Sequence, residues 1–186
     1  MTRFDPPVAR RAVVLAAILS TLAFLITCGE RAENAAPPKP EPTVVEAPDL
    51  DLRLSVDPTK FVVVDTSPPS LETADPADPG RIAVDARPAE YGQNLPAAVA
   101  EHQQELAERD GGTALGAQEL VSPLGTAFYS RGRFTSDGKE VEETAVFALH
   151  PAGGRMITLT YRYPAGNDSS DRVEQLFEVL GTVEAM

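Results

Sequence analysis

The stretch "ETAVFALHPAGGRMITLTYRYP", residues 143–164, runs through four loop residues into "SSDRVEQLFEVL", residues 169–180. Its first half is β-branched and aromatic, and so is its second. Between them stands Gly153-Gly154, a turn pair that favours a tight hairpin. The last part changes period. Val173, Leu176, Phe177 and Leu180 recur at i, i+3, i+4 and i+7, which predicts a helix with one apolar stripe. Asp168 stands at its N-cap position and Asp171 in its first turn. Strand, hairpin, strand, helix is therefore the closing unit, and the rest of the chain is read outward from it.

Upstream, "ALGAQELVS" precedes Pro123-Leu124-Gly125, and "TAFYSRGRFTS" precedes Asp137-Gly138. Alternating runs separated by such turns predict an antiparallel meander over residues 115–163. Before it, Leu95, Val99, His102 and Leu106 fall at helical spacing. Asn94 caps that helix, Pro96 is tolerated in its first turn, and "DGG" at 110–112 ends it. Earlier still, "LDLRLSVD", "KFVVVDTSP" and "RIAVDARP" read as three short strands, with "LETADPADPG" as an acidic Pro-Gly loop. Strands, helix, four strands, helix is the order of an α+β fold, an antiparallel sheet flanked by helices. The domain spans residues 49–186.

In front of it the texture differs. Residues 29–48 hold Pro37, Pro38, Pro40, Pro42 and Pro48 with no apolar periodicity, the composition of a disordered tether. Residues 28–48 at roughly 3 Å per residue would reach some 60 Å. Residues 1–27 combine Arg3, Arg10 and Arg11 with an uncharged run from Ala12 to Thr27. That run is short for a membrane span and suits the apolar region of a signal peptide.

Leu25-Ile26-Thr27-Cys28 resembles the lipobox of bacterial lipoproteins, with Thr27 departing from the smaller residue usual before the cysteine. The resemblance implies cleavage after Thr27 and lipidation of Cys28, the only cysteine in the chain, by diacylglycerol and an acyl group. The protein would then sit on a membrane of the cell envelope, facing the periplasm or the exterior. An uncleaved signal anchor, with Cys28 an ordinary thiol, is the alternative reading of the same residues.

Charge narrows the partners. The chain has 16 Lys+Arg against 28 Asp+Glu, and the whole net charge of -12 lies in residues 49–186. Such a domain repels phosphate backbones, so no nucleic-acid partner is expected. One cysteine excludes an intrachain disulfide.

The search for chemistry returns little. His102 and His150 lie on different elements, and no metal or cofactor site is expected from them. His102 shares a stripe with Val99 and Leu106, which suits a partly buried histidine with a backbone or carboxylate partner; His150, next to Pro151 in a turn, is expected to be exposed. There is no Gly-x-Ser-x-Gly elbow, and Ser170 would meet His102 only by an accident of folding. "GGTALG" lacks the Lys-Ser/Thr of a phosphate loop, and "GNDSSD" lacks the glycine and distal glutamate of a calcium loop. No catalytic residue is assigned. One candidate binding face remains. Period two places Tyr129, Arg131 and Arg133 together, and likewise Tyr161 and Tyr163, residue types that anchor partners. The plainer reading of the arginines is pairing with Glu140, Glu142 and Glu143 across the hairpin.

The element order, "NLPAAVAEHQQELAER" and the closing strand–strand–helix together resemble the PsbP proteins of photosystem II and the Ran-binding Mog proteins, over residues 50–184. Bacteria carry that fold in DcrB-like and LpqN-type lipoproteins. The resemblance is architectural and implies no catalytic residue. It implies a non-catalytic binding or adaptor module with an envelope protein or ligand as partner. A small-molecule or lipid carrier with a pocket between sheet and helix is the alternative, and a hydrolase-like enzyme the third reading.

Overall fold

Period-two alternation needs a sheet with a buried face, and here much of the sheet buries both. The computed structural model describes residues 39–89, 94–166 and 169–186. The leader, the lipobox with Cys28 and the proposed cap Asp168 lie outside the described residues. In chain order the elements are β1 (Thr43–Ala47), a 3-10 turn (Pro48–Leu50), β2 (Leu52–Val56), β3 (Phe61–Thr66), β4 (Pro69–Thr73), β5 (Arg81–Pro88) and helix α1 (Leu95–Glu108). There follow β6 (Thr113–Ser122), β7 (Gly125–Ser136), β8 (Lys139–Leu149), β9 (Arg155–Pro164), helix α2 (Ser169–Leu180) and β10 (Glu184–Ala185). The main sheet is antiparallel and seven-stranded in the order β3-β4-β5-β9-β8-β7-β6; a three-stranded sheet has the order β1-β2-β10. The α+β class read from the sequence is the class observed.

Two layers cover the two faces of the main sheet. On the first face, Ile157, Leu159, Tyr161 and Tyr163 of β9 pack with Leu176 and Leu180 of α2 and with Leu52, Leu54 and Val56 of β2. On the second, Leu95, Ala98 and Val99 of α1 pack on Ala145, Phe147 and Met156. Strand β8 is covered from both sides, so Glu142 to Ala148 are buried without a break. Each fully buried Leu, Ile or Val here contributes about 1.5–3 kcal/mol.

The local signals explain the joints. The Asn94 side chain accepts a hydrogen bond from the Ala97 N–H at 2.9 Å, with Pro96 in the first turn. Asp137-Gly138 and Gly153-Gly154 adopt positive φ, as tight hairpins require. Gly132 on β7 is a packing residue: a Cβ there would lie 2.6 Å from Leu106 Cδ1. Its missing side chain lets α1 lie close on the sheet.

Three features differ from the sequence reading. The end of the segment read as tether forms β1, because Val45 and Ala47 alternate into the core opposite Leu54 and Leu52. The segment read as an acidic loop begins as strand β4, since Leu71 pairs with Ile82 and is buried; the loop starts only after Thr73. The strand predicted from residue 50 joins the small sheet rather than the main one. No helix among the described residues is long and apolar enough to cross a membrane.

Candidate functional site

The pairing register brings the five residues of the candidate face together. Tyr129, Arg131 and Arg133 of β7 stand opposite Val146, Thr144 and Glu142 of β8. Thr144 and Glu142 in turn stand opposite Tyr161 and Tyr163 of β9. All five therefore share the first face; Tyr129, Arg131 and Arg133 are partly exposed, and the two β9 tyrosines are not. Tyr161 is 0 % exposed and Tyr163 is buried with it. Their rings meet edge to face at 5.3 Å, and the Arg172 guanidinium lies 5.5 Å from each ring centre. Arg172 donates to the Tyr161 hydroxyl at 2.6 Å and pairs with Asp78. Burial raises both tyrosine pKa values, and desolvation lowers that of Arg172.

The two arginines are occupied as the cross-strand reading expects. Arg133 reaches Glu142 at 2.6 Å and Glu140 at 3.5 Å; Arg131 reaches Glu142 at 3.4 Å. Burial of Glu142 pushes its carboxyl up, but hydrogen bonds from Arg133 and Tyr163 and the charge of Arg131 hold it below the ordinary carboxylate range. Glu143 is not part of this set, because the pleat turns it to the other face. Arg172 had no sequence reading of its own. On α2 it precedes Leu176 by four residues, so it extends the buried stripe of Leu176, Val179 and Leu180. Val173 and Phe177, read as stripe residues, are only half-buried.

On the second face a polar network lies under α1. His102 Nε2 is 2.9 Å from Glu143 Oε1, and His102 Nδ1 is 2.8 Å from Ser130 Oγ. Gln103 donates to Ser130 Oγ, to the Arg131 carbonyl at 3.0 Å and to the Gly116 carbonyl at 3.2 Å. Glu143 Oε2 accepts from Arg109 at 2.9 Å and from Arg162. Arg109 also stacks 4.4 Å over the Phe134 ring. Glu143 is 1 % exposed, and its burial raises the carboxyl pKa. The hydrogen bonds from His102, Arg109 and Arg162 outweigh that and hold it at about 2.

A serine, a histidine and a carboxylate within hydrogen-bond distance are the parts of a nucleophilic centre. Access and bonding assign these three another role. Ser130 is 0 % exposed, so no carbonyl can approach its oxygen. His102 Nε2 faces Glu143, and Ser130 Oγ lies between His102 Nδ1 and the Gln103 amide that donates to it. Each polar atom is spent on fastening α1 to β7 and β8. The carboxylate partner expected for His102 is thus Glu143, and the serine that meets it is Ser130. Its signal was Phe128-x-Ser130-x-Gly132 on the helix-covered side of β7. His150, expected to be exposed, is buried. The turn folds back so that its Nε2 lies 3.0 Å from the Asp51 carbonyl, while its Nδ1 accepts from the Ala152 N–H at 3.0 Å. Among the described residues no cluster of three or more His, Cys, Asp or Glu could hold a metal.

Open space lies elsewhere. A cleft of about 620 Å³ sits at the end of the main sheet, between the loop after β4 and the β7–β8 hairpin. Its walls are mainly apolar: Ala74, Pro76, Pro79, Phe134, Val141 and the edge of Tyr163. Arg81 and Arg162 line it, as do Glu72 and Asp75. Gly80 builds one wall, because a Cβ there would lie 2.5 Å from Tyr161 Cε2 and push the loop away. A second cavity of about 210 Å³ lies between α1 and the sheet and is polar, lined by His102, Glu143, Thr158 and Thr160; Arg162 borders both. Among the described residues, this cavity between α1 and the sheet is small and polar, and the larger apolar cleft is lined by loop and strand residues alone.

No protein-family profile matches the chain, and no curated protein matches it in sequence. Solved structures do match in shape. The Ran-binding protein Mog1p of Saccharomyces cerevisiae superposes with a TM-score of 0.54 at 14% identity, covering 77% of this chain and 95% of that one. LpqN of Mycobacterium tuberculosis, described as involved in cell envelope biogenesis, gives 0.44 at 18% identity over 80% and 87% of the two chains. The cyanobacterial PsbP of Synechocystis gives 0.49 at 10% identity over 86% and 99%. Mog1p superposes over nearly all of its own length, and the described domain has the PsbP/Mog-like α+β fold.

Proposed function

We propose that the protein is a non-catalytic binding module held at a membrane of the cell envelope. In this reading the leader is removed after Thr27, Cys28 is lipidated, and the Pro-rich segment before β1 is the tether. The observation that carries the binding role is the cleft at the sheet end. Its 620 Å³ falls within the roughly 300–1,000 Å³ usual for ligand sites, and apolar walls with a few charged groups at the rim are the usual lining. The buried Ser130–His102–Glu143 trio supports a non-catalytic role, because its geometry serves packing.

Site-specific photo-crosslinking from Glu72 or Ser136 in the full chain, in intact cells, tests the cleft. Adducts at these positions and none at Arg155, at the opposite end of the sheet, are expected; adducts at neither, or equally at all three, would remove the cleft from the account. The anchor is tested by Cys28→Ser. The wild-type protein should carry a lipid mass on its N-terminal residue and sediment with membranes, and the variant should lose both. A protein partner is the second reading, supported by the fold shared with a Ran-binding protein.

A further inference from the structure

Among the described residues, one side of the main sheet ends in β6, which pairs with β7 alone; eight of its ten residues are exposed. Folded proteins blunt such edges with lysine, proline, bulges or a short strand. The opposite edge follows that rule: β3 has a bulge between Val63 and Asp65 and runs into Pro68-Pro69. Strand β6 has no lysine, no proline and a single charge, Glu119. Its bulge, between Ala114 and Gly116, lies near its start, where Gln103 of α1 donates to the Gly116 carbonyl at 3.2 Å. Residues 116–122 are therefore a regular, open edge. The two-residue turn Pro123-Leu124 makes Ser122 and Gly125 a hydrogen-bonded closing pair. By alternation Ala117, Glu119 and Val121 turn their N–H and C=O groups away from β7. The two large apolar side chains that β6 exposes, Leu115 at 45% and Val121 at 92%, stand three residues either side of Gln118.

We propose that this edge binds the same edge of a second copy of the chain, antiparallel about a two-fold axis at Gln118. In that register Glu119 lies across from Ala117 and Leu120 across from Gly116, so each larger side chain meets a small one. Val121 lies across from Leu115, where the bulge ends the ladder, and the two exposed apolar side chains cover each other. The outward N–H and C=O groups of Ala117 and Glu119 bond each other across the axis. A register centred on Glu119 would oppose two carboxylates, and one centred on Leu120 would set Glu119 against Val121 and leave Leu115 beyond the end of the partner strand. No residue of β6 lines the sheet-end cleft, so the pairing does not depend on what the cleft holds.

Disulfide trapping tests the pairing, with the full-length protein in mild detergent and a glutathione redox buffer. About 0.15 M salt screens the like charges of two copies beyond roughly 8 Å. At the axis the two copies of residue 118 form a non-hydrogen-bonded pair with Cα atoms about 4.5 Å apart, within disulfide reach. Gln118→Cys should give a 118–118 disulfide, identified by peptide mass spectrometry. Its yield should exceed that of Val64→Cys, on the opposite edge, by roughly tenfold or more, as paired encounter exceeds collision. Added to Gln118→Cys, Glu119→Pro removes an N–H that faces away from β7, which an edge strand tolerates. It should lower the yield by roughly tenfold, whereas Glu119→Gln, which removes only the charge, should not lower it. Far-ultraviolet circular dichroism checks that the proline variant folds, and the comparison of positions 118 and 64 does not depend on it. Equal yields at positions 118 and 64 would overturn the proposal. So would a yield that Glu119→Pro leaves unchanged, or preferential trapping by Glu119→Cys.

Discussion

Removing the charge of Glu143 measures how much of the fold depends on one buried carboxylate. The side chain is 1 % exposed and takes hydrogen bonds from His102, Arg109 and Arg162, which hold its pKa at about 2 against an ordinary 4.5. At 1.36 kcal/mol per pKa unit, that depression corresponds to about 3 kcal/mol of folding stability. The sign follows from the direction. A depressed carboxylate contributes in full above its unfolded pKa of 4.5 and loses the contribution as pH falls through about 2. Glu143→Gln keeps the shape and removes the charge. Urea denaturation followed by far-ultraviolet circular dichroism at pH 7, 4.5, 3 and 2 should show the variant less stable by about 3 kcal/mol at pH 7. The gap between variant and wild type should narrow below pH 4.5 and close near pH 2. A gap under about 1 kcal/mol at pH 7, or one that stays constant across the series, would show that Glu143 is not held by these partners. Raised salt should change the gap little, because the carboxylate is buried.

Other substitutions probe separate joints. Gly132→Ala puts a Cβ 2.6 Å from Leu106 Cδ1 and should cost about 1–3 kcal/mol in urea denaturation as α1 is forced off β7. Ser130→Ala removes the partner of His102 and Gln103. It should lower stability by about 1–2 kcal/mol, and hydrogen exchange in α1 should quicken. Arg172→Ala empties the space over Tyr161 and Tyr163 and leaves Asp78 without this cation. A loss of about 2–4 kcal/mol is expected, with Arg172→Met recovering part of it through packing.

The candidate face shows how far a pattern of residues reaches. Period two correctly put Tyr129, Arg131 and Arg133 on one side of β7, and Tyr161 and Tyr163 on one side of β9. That the two groups share a side is a matter of register, which depends on where the Asp137-Gly138 and Gly153-Gly154 turns fall. Whether that side is open depends on the second layer. Here α2 and β2 cover its β9 part, with Arg172 reaching over both tyrosines, so Tyr161 and Tyr163 lie in the core while Tyr129, Arg131 and Arg133 stay partly exposed. The same limit applies to His150, whose place in a turn suggested exposure, yet whose ring packs against Asp51 at the end of the 3-10 turn before β2.

The sequence by itself determined the local chemistry: the class and order of most elements, the hairpins, the Asn94 cap and the acidity of the domain. These depend on interactions a few residues apart or on composition alone. Tertiary structure decided the rest. It brought Ser130, His102 and Glu143 together from β7, α1 and β8, set Arg81 beside Arg162, and left a cleft between a loop and a hairpin some 60 residues apart. Such groupings arise from strand register and layer packing, and long-range geometry of that kind leaves no periodic trace along the chain.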